Sequence, residues 1–296
     1  GVVADVSHWM TKYYVPTHTY IQSGYQPDGT ISHHIANATD VAMAAYGFEW
    51  LTDCNSGYDY FKNTDFRIAD KHYQAELDWL LKVYPKMFYK QRLDFLVAGR
   101  SFLSDLHLFV TKIYQDAVND MLKACSKDTK LTGLTELKDV CRRLKANTYE
   151  YSGTDAYWVN EFLIHRRGEN EQPFYASLKL KSERTVGAED FNKVRKAWHL
   201  GYGILQVKIQ GDEYSEHVLS NYDWHAIPGL TEEWRTDAIP VGHAQASLPG
   251  LNKVSGVLAD GKAGMGIYHH LPQETYSSAT AFKSYHFIED KIIASG

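Results

Sequence analysis

The sequence predicts an α+β fold, with a helical unit followed by an antiparallel β unit. Up to about residue 150, apolar residues recur at helical spacing. After it they alternate with polar ones, the period of a strand with one buried face. The order matters as well: helices come first and strands second, without interleaving, which points to two segregated units. The boundary is expected within 148–156, "TYEYSGTDA", giving a helical unit over 1–150 and a β unit over 151–296.

The first informative stretch is "SGYQPDGTISHHIANATDVAMAAYG", residues 23–47. Pro27-Asp28-Gly29 is turn chemistry. Thr39 is a candidate N-cap, Asp40 suits a first helical turn, and a helix is expected from about Asp40 to Trp50. Residues 31–38 should then be a loop. Were 34–46 wholly helical, His34 and Tyr46 would stand about 18 Å apart at 1.5 Å per residue and share no reacting atom. A loop lets them meet. Further on, Phe66, Ala69, Tyr73, Leu77, Leu80 and Leu81 make a helical stripe. Leu106, Phe109, Val110, Ile113, Tyr114, Ala117, Val118, Met121 and Leu122 make a longer one, with Ser104 or Asp105 as its cap. Leu134, Leu137, Val140, Cys141 and Leu144 give a third. In "FYASLKLKSE", Phe174, Ala176, Leu178 and Leu180 alternate with Tyr175, Ser177, Lys179 and Lys181. "GILQVKIQ", "GMGIYHH", "SYHFIED" and "KIIASG" read as further short strands between turns.

Composition narrows the function classes. A net charge of −5 and a pI near 6.3 argue against a nucleic-acid binder, which would be basic. They leave room for an acidic ligand in a local basic cleft. The 21 Tyr and 7 Trp suit both ordinary cores and sugar-stacking surfaces. Cys54, Cys125 and Cys141 form neither a disulfide framework nor a zinc pattern and are expected to be idle thiols. No run of 18 apolar residues is present, so no membrane span is expected. The opening "GVVADVSHWM" lacks the basic start of a signal peptide. Asp, Glu and His are scattered without ligand spacing, so neither a metal nor another cofactor is expected.

Several segments resemble the polysaccharide lyases that cleave hyaluronan and chondroitin, family 8. "PDGTISHH…YG" is similar to that family's catalytic segment, which runs Asp-Gly-Ser/Thr, a few residues, His, then Tyr-Gly. "LVAGR", 96–100, resembles the segment ending in its active-site arginine. "VGAEDFN", 186–192, resembles the glutamate-bearing segment of the chondroitin ABC-type branch. "NYDWHAIPGLT", 221–231, resembles its Asp-Trp-x-x-x-Pro-Gly-Thr-Thr stretch, and "AFKSYHFIEDKIIASG", 281–296, a late strand pair. The matches run in family order across nearly the whole chain. They imply the last part of an α/α-toroid followed by the start of an antiparallel β-sandwich region, with the site in the cleft between. Family members are much longer. The upstream segment with tryptophans and a carboxylate-neutralising asparagine is not matched, His34 and Tyr46 are further apart than usual, and "PGLT" replaces Pro-Gly-Thr-Thr.

The implied reaction is β-elimination at a uronic acid. The C5 proton is barely acidic beside an ionised carboxylate, so that carboxylate must be neutralised while a base acts at C5 and an acid at the leaving oxygen. The resemblance assigns these tasks to His34, Tyr46, Arg100 and Glu189. Tyr46 is acid or base, assisted by the Arg100 cation, and His34 is base or carboxylate-side donor. Arg100 holds the leaving side or tunes Tyr46, and Glu189 donates a proton to the substrate carboxylate or orients Arg100 and His34. Substrate-binding candidates are His33, Asn192, Trp224, His225 and Arg166. Each has an ordinary alternative: Tyr46 in the core, Arg100 paired with Asp94 or Asp105, Glu189 in a solvated loop, Trp224 and His225 packed where the units meet, and "HRR" 165–167 at a hairpin tip. His269-His270 is expected at the surface. The implied substrate is an acidic polysaccharide, chondroitin or dermatan sulfate over hyaluronan, and the implied location is secreted or periplasmic. A partner chain or homo-oligomer is expected to complete the toroid. A non-catalytic glycan binder and a two-carboxylate glycoside hydrolase are the other readings.

Overall fold

The computed structural model describes residues 2–11, 24–32, 45–168, 172–187, 198–234, 236, 238–239, 249–272 and 277–296. Helices occupy the first half: α1 Val2–Thr11, α2 Ala45–Phe61, α3 Asp70–Asp78, α4 Tyr114–Ala124 and α5 Leu134–Lys145. Two short hairpins sit among them, β1 Gly24–Tyr25 with β2 Ile31–Ser32, and β3 Phe88–Tyr89 with β4 Arg92–Leu93. Then come β5 Gly153–Tyr157, β6 Phe162–Arg167, β7 Phe174–Leu180, β8 Tyr202–Lys208, a short α6 Glu216–Ser220, β9 Ser255–Ala259, β10 Ala263–His270, β11 Ala281–Ile288 and β12 Lys291–Ser295. The fold is therefore α+β, with a helical part and a β-sandwich.

Helix α2 continues past Trp50 to Phe61, further than expected, because Gly47, Leu51, Cys54, Asn55 and Tyr58 keep one buried stripe. The expected cap at Thr39 and Asp40 lies outside the described residues. The stripe from Phe66 becomes α3, which starts only at Asp70, with Phe66 in a turn and partly exposed. Two of the helical runs pass through π turns, Trp79–Val83 after α3 and Phe109–Ile113 before α4. The expected cap at Ser104 or Asp105 does not form on the latter run, whose N-cap is Leu108 without a side-chain bond; Asp105 Oδ1 instead accepts the His107 N–H at 3.0 Å in the turn before it.

The sandwich is two antiparallel four-stranded sheets, ordered β5-β6-β7-β8 and β12-β11-β10-β9. They approach closely where glycine permits. A Cβ on Gly266 would stand 2.4 Å from Leu178 Cδ2, and one on Gly264 2.7 Å from Thr154 Cγ2. Tyr285 Oη donates across the gap to the Gly203 carbonyl at 2.9 Å. The first sheet is a middle layer, because its other face meets the helical part. On β7 the alternation therefore does not separate inside from outside: Tyr175, Ser177 and Lys179 are as buried as Ala176, Leu178 and Leu180. The even set faces the second sheet. The odd set faces the helices, where Tyr89 stacks on Tyr175 with ring centroids 5.9 Å apart. Lys179 is buried with its ammonium donating to the carbonyls of Asn160 and Leu180. His270, expected at the surface, is fully buried, and burial lowers its pKa to about 4. It points inward on β10, as Tyr268 does, and only its neighbour His269 faces out, stacked on Phe282.

Candidate active site

Tyr46 lies in the first turn of α2, and its flanking residues hold it. A Cβ on Gly47 would sit 3.0 Å from Trp79 Cζ2, so the helix backbone rests on the indole. Phe48 packs edge-on against Trp79 and Tyr84, at centroid distances of 5.2 and 4.4 Å. Ile31 of β2 touches the same point, 3.8 Å from that position on Gly47. The β1–β2 hairpin is fixed in turn by Asp28. Its Oδ1 accepts the Thr30 N–H and hydroxyl, and its Oδ2 accepts the Val159 N–H from the β5–β6 turn at 2.9 Å. Burial raises the Asp28 pKa, and these bonds oppose the rise. The "DGT" motif is thus a clamp between the helical part and the sandwich.

Arg100 sits on a tight 3-10 turn, Gly99–Ser101, entered through Gly99 at φ 57°. Asp94 caps the preceding turn, Phe95–Val97. Trp224 packs edge-on against Phe95 and Phe102, on either side of Arg100, at 6.3 and 5.5 Å. Further along, both carboxylate oxygens of Glu216 of α6 accept from Arg92 Nη1, and Oε1 also accepts the Leu106 N–H. Held from these sides, the exposed Arg100 places its guanidinium carbon 5.1 Å from the centroid of the Tyr46 ring, a cation–π geometry. Tyr46 itself is 5% exposed.

Of the residues singled out in the sequence, Tyr46 and Arg100 come together. His33, His34, Glu189 and Asn192 lie outside the described residues. Trp224 is 5% exposed, its indole N–H donates to the Leu219 carbonyl, and it packs at the junction of the two parts. His225 is half-buried beside Asp223, with Nδ1 3.3 Å from Oδ1. Arg166 does not present itself to a ligand. It is 4% exposed, donates to the carbonyls of Phe88 and Tyr149 at 2.6 and 3.0 Å, and lies over the Tyr89 and Tyr149 rings. Burial lowers its pKa. Strand β6 turns it towards the helical layer, so it joins the two parts.

Asp94, considered above only as an ion partner for Arg100, is instead a fully buried acceptor for Leu96 N–H, Gln206 Nε2 and Tyr175 Oη. The signal available in the sequence was an Asp directly before the short apolar run Phe95–Val97, an N-cap pattern. Among the described residues no three His, Cys, Asp or Glu side chains converge as metal ligands would. A cavity of about 970 Å³ opens between Gly153, Arg167, Phe174, Lys262 and Asp290, and neither Tyr46 nor Arg100 lines it.

Residues 152–296 match the family described as polysaccharide lyase family 8, super-sandwich domain. The chain's β region thus resembles that family's super-sandwich domain. Solved structures match the fold over nearly the whole chain. A chondroitinase AC lyase matches with a TM-score of 0.75 at 18% identity, over 98% of this chain and 41% of its own. A chondroitin AC lyase from Streptomyces coelicolor A3, in complex with chondroitin sulphate, matches with a TM-score of 0.75 at 19% identity, over 98% of this chain and 43% of its own. A Paenibacillus xanthan lyase matches with a TM-score of 0.73 at 16% identity, over 98% of this chain and 29% of its own. The chain spans under half the length of these proteins. Comparison with curated proteins gives no match.

Proposed function

We propose that this chain carries part of the active site of a polysaccharide lyase that cleaves uronic-acid polymers by β-elimination. The observation that carries the reading is the pairing of Tyr46 with Arg100, on a fold shared with chondroitin and xanthan lyases. In this reading a base removes the C5 proton, the C4–O bond breaks with its electron pair staying on oxygen, and an acid protonates that oxygen. The product carries a C4–C5 double bond. The Tyr46 phenol is the proton-transfer group, and Arg100 supplies positive charge beside it for the anionic polymer and the oxygen that leaves. His34 and Glu189 complete the set, as base or donor and as the group that neutralises the substrate carboxylate. The helical part belongs to an α/α-toroid that a longer chain or a partner completes, and the enzyme works outside the cytoplasm on chondroitin or dermatan sulfate.

The test is a panel of chondroitin sulfate, dermatan sulfate, hyaluronan, heparan sulfate, alginate and xanthan, incubated with the purified protein. Elimination leaves an unsaturated uronate that absorbs in the ultraviolet. Cleavage without that absorbance means hydrolysis. Binding with the polymer left intact favours the second reading, a glycan-binding relative that lacks turnover.

A further inference from the structure

We infer that Asp94 is a positioning residue that sets Arg100 against Tyr46 by clasping the Arg100 turn to the middle sheet. The inference rests on the lyase reading for its functional consequence, but its structural content stands alone. Asp94 is fully buried at the end of β4, and three donors from three elements meet on its carboxylate. Oδ1 accepts the Leu96 N–H at 2.9 Å and Gln206 Nε2 of β8 at 2.7 Å. Oδ2 accepts Tyr175 Oη of β7 at 2.7 Å. The first bond starts the turn that leads to Arg100. The other two reach β7 and the edge strand β8 beside it, which pair residue by residue from Tyr175↔Lys208 to Leu178↔Leu205. Lys208, also buried, lies with its ammonium 5.2 Å from the Tyr175 ring centroid, so a cation stands behind the carboxylate's phenol partner.

The rest of the turn has little internal support. The backbone bonds Val97 N–H to Asp94 O, Ala98 N–H to Phe95 O and Ser101 N–H to Ala98 O are each single short-range links, at 3.0–3.3 Å. A 3-10 turn of this length has weak hydrogen-bond geometry and needs outside anchors. Trp224 supplies the apolar anchor, through Phe95 and Phe102, and Asp94 supplies the polar one. A buried carboxylate shared among several donors is geometrically demanding, since each bond fixes a direction. The clasp therefore specifies where the turn sits, and with it the guanidinium.

Three variants test this: Asp94→Ala, Asp94→Asn and Tyr175→Phe. Amide hydrogen exchange is read at Leu96, Val97, Ala98 and Ser101, with α4 and β10 as internal references. Asp94→Ala should speed exchange in the turn by at least about tenfold, with the references unchanged, as expected for local opening. Asp94→Asn keeps an acceptor for Leu96 and Gln206 and should recover most of the protection. Tyr175→Phe removes one donor and should fall between. Turn exchange in Asp94→Ala no faster than in the references overturns the clasp. If Asp94→Ala fails to fold, Tyr175→Phe decides alone: faster exchange confined to the turn supports the clasp and none overturns it.

A double-mutant cycle with Arg100→Ala then asks whether Asp94 acts through Arg100. Turnover, or affinity for chondroitin sulfate if no product forms, should drop with Asp94→Ala (or Tyr175→Phe if that variant does not fold) in the unaltered background, recover in part with Asp94→Asn, and drop no further once Arg100 is gone. Equal drops in both backgrounds overturn the positioning role. A protein that makes no unsaturated product removes the lyase reading and leaves the exchange result to judge the clasp.

Discussion

Arg100 lies over the ring of Tyr46, its guanidinium carbon 5.1 Å from the centroid, across the gap between the first turn of α2 and a 3-10 turn far along the chain. No local signal pairs these residues. Removing the Tyr46 oxygen is the direct test of its role. Tyr46→Phe keeps the ring under the cation and should leave folding and polymer affinity unchanged. It should cut turnover by at least about 100-fold, the low end for loss of a placed acid or base. Release of unsaturated product, measured beside affinity for the intact polymer, checks this. Near-normal turnover removes Tyr46 from the mechanism.

Gly47 offers a test of how the helix sets that tyrosine. Its absent side chain leaves room for the Trp79 indole, and a methyl there would meet Cζ2 at 3.0 Å and Cη2 at 3.1 Å. The indole is fully buried and has nowhere cheap to go. Gly47→Ala should therefore cost about 1–3 kcal/mol of stability through overpacking, despite the better helix propensity of alanine. Urea denaturation reads the loss. Turnover should fall as well, because relief of the clash moves the first turn of α2.

Trp224 was a candidate for the cleft and sits at the junction of helices and sandwich. Trp224→Ala should cost about 3–5 kcal/mol, the range for deleting a large buried aromatic. Trp224→Phe should cost less but lose the bond to the Leu219 carbonyl. If Trp224 met substrate, the phenylalanine variant would raise KM at unchanged stability. The packing seen here predicts the reverse, a lower midpoint in denaturant and KM close to that of the unaltered protein.

Two buried histidines of the sandwich set an acid limit on stability. Burial lowers the pKa of His165 and of His270 to about 4, so both are neutral in the folded protein at neutral pH. In the unfolded chain they titrate near the ordinary value of about 6.5. Between roughly pH 6.5 and 4 the unfolded state binds more protons, so stability is full above that window and falls as pH drops through it. Each contributes at most about 3 kcal/mol to this fall. Denaturation midpoints at pH 7.5 and 5.5 should differ, and His270→Asn should shrink the difference. A slope unchanged by that substitution assigns the acid sensitivity elsewhere.

Much of the architecture was legible in the chain because it is written in short-range periodicity. The stripes of α4 and α5, the alternation of β7, β8, β10 and β11, and the Pro-Asp-Gly turn each follow from residues within a few positions of one another. The family likeness of "LVAGR" and of the Tyr-Gly pair also singled out the two residues that meet. What pattern could not supply was which face of an element has a second neighbour. β7 reads as a strand with one wet face, but helices cover that face, so Lys179 is buried. Arg166 and His270 read as surface cations or solvated rings, yet each points into a layer that sequence spacing does not reveal. Asp94 read as a possible ion partner, and only the packing of β7 and β8 beneath it made it a shared acceptor. The sequence determined which segments are helix and which are strand, because dihedral preference and hydrophobic period are local. The tertiary structure decided which polar groups are buried and which distant residues touch, because desolvation and hydrogen-bond satisfaction depend on partners far along the chain.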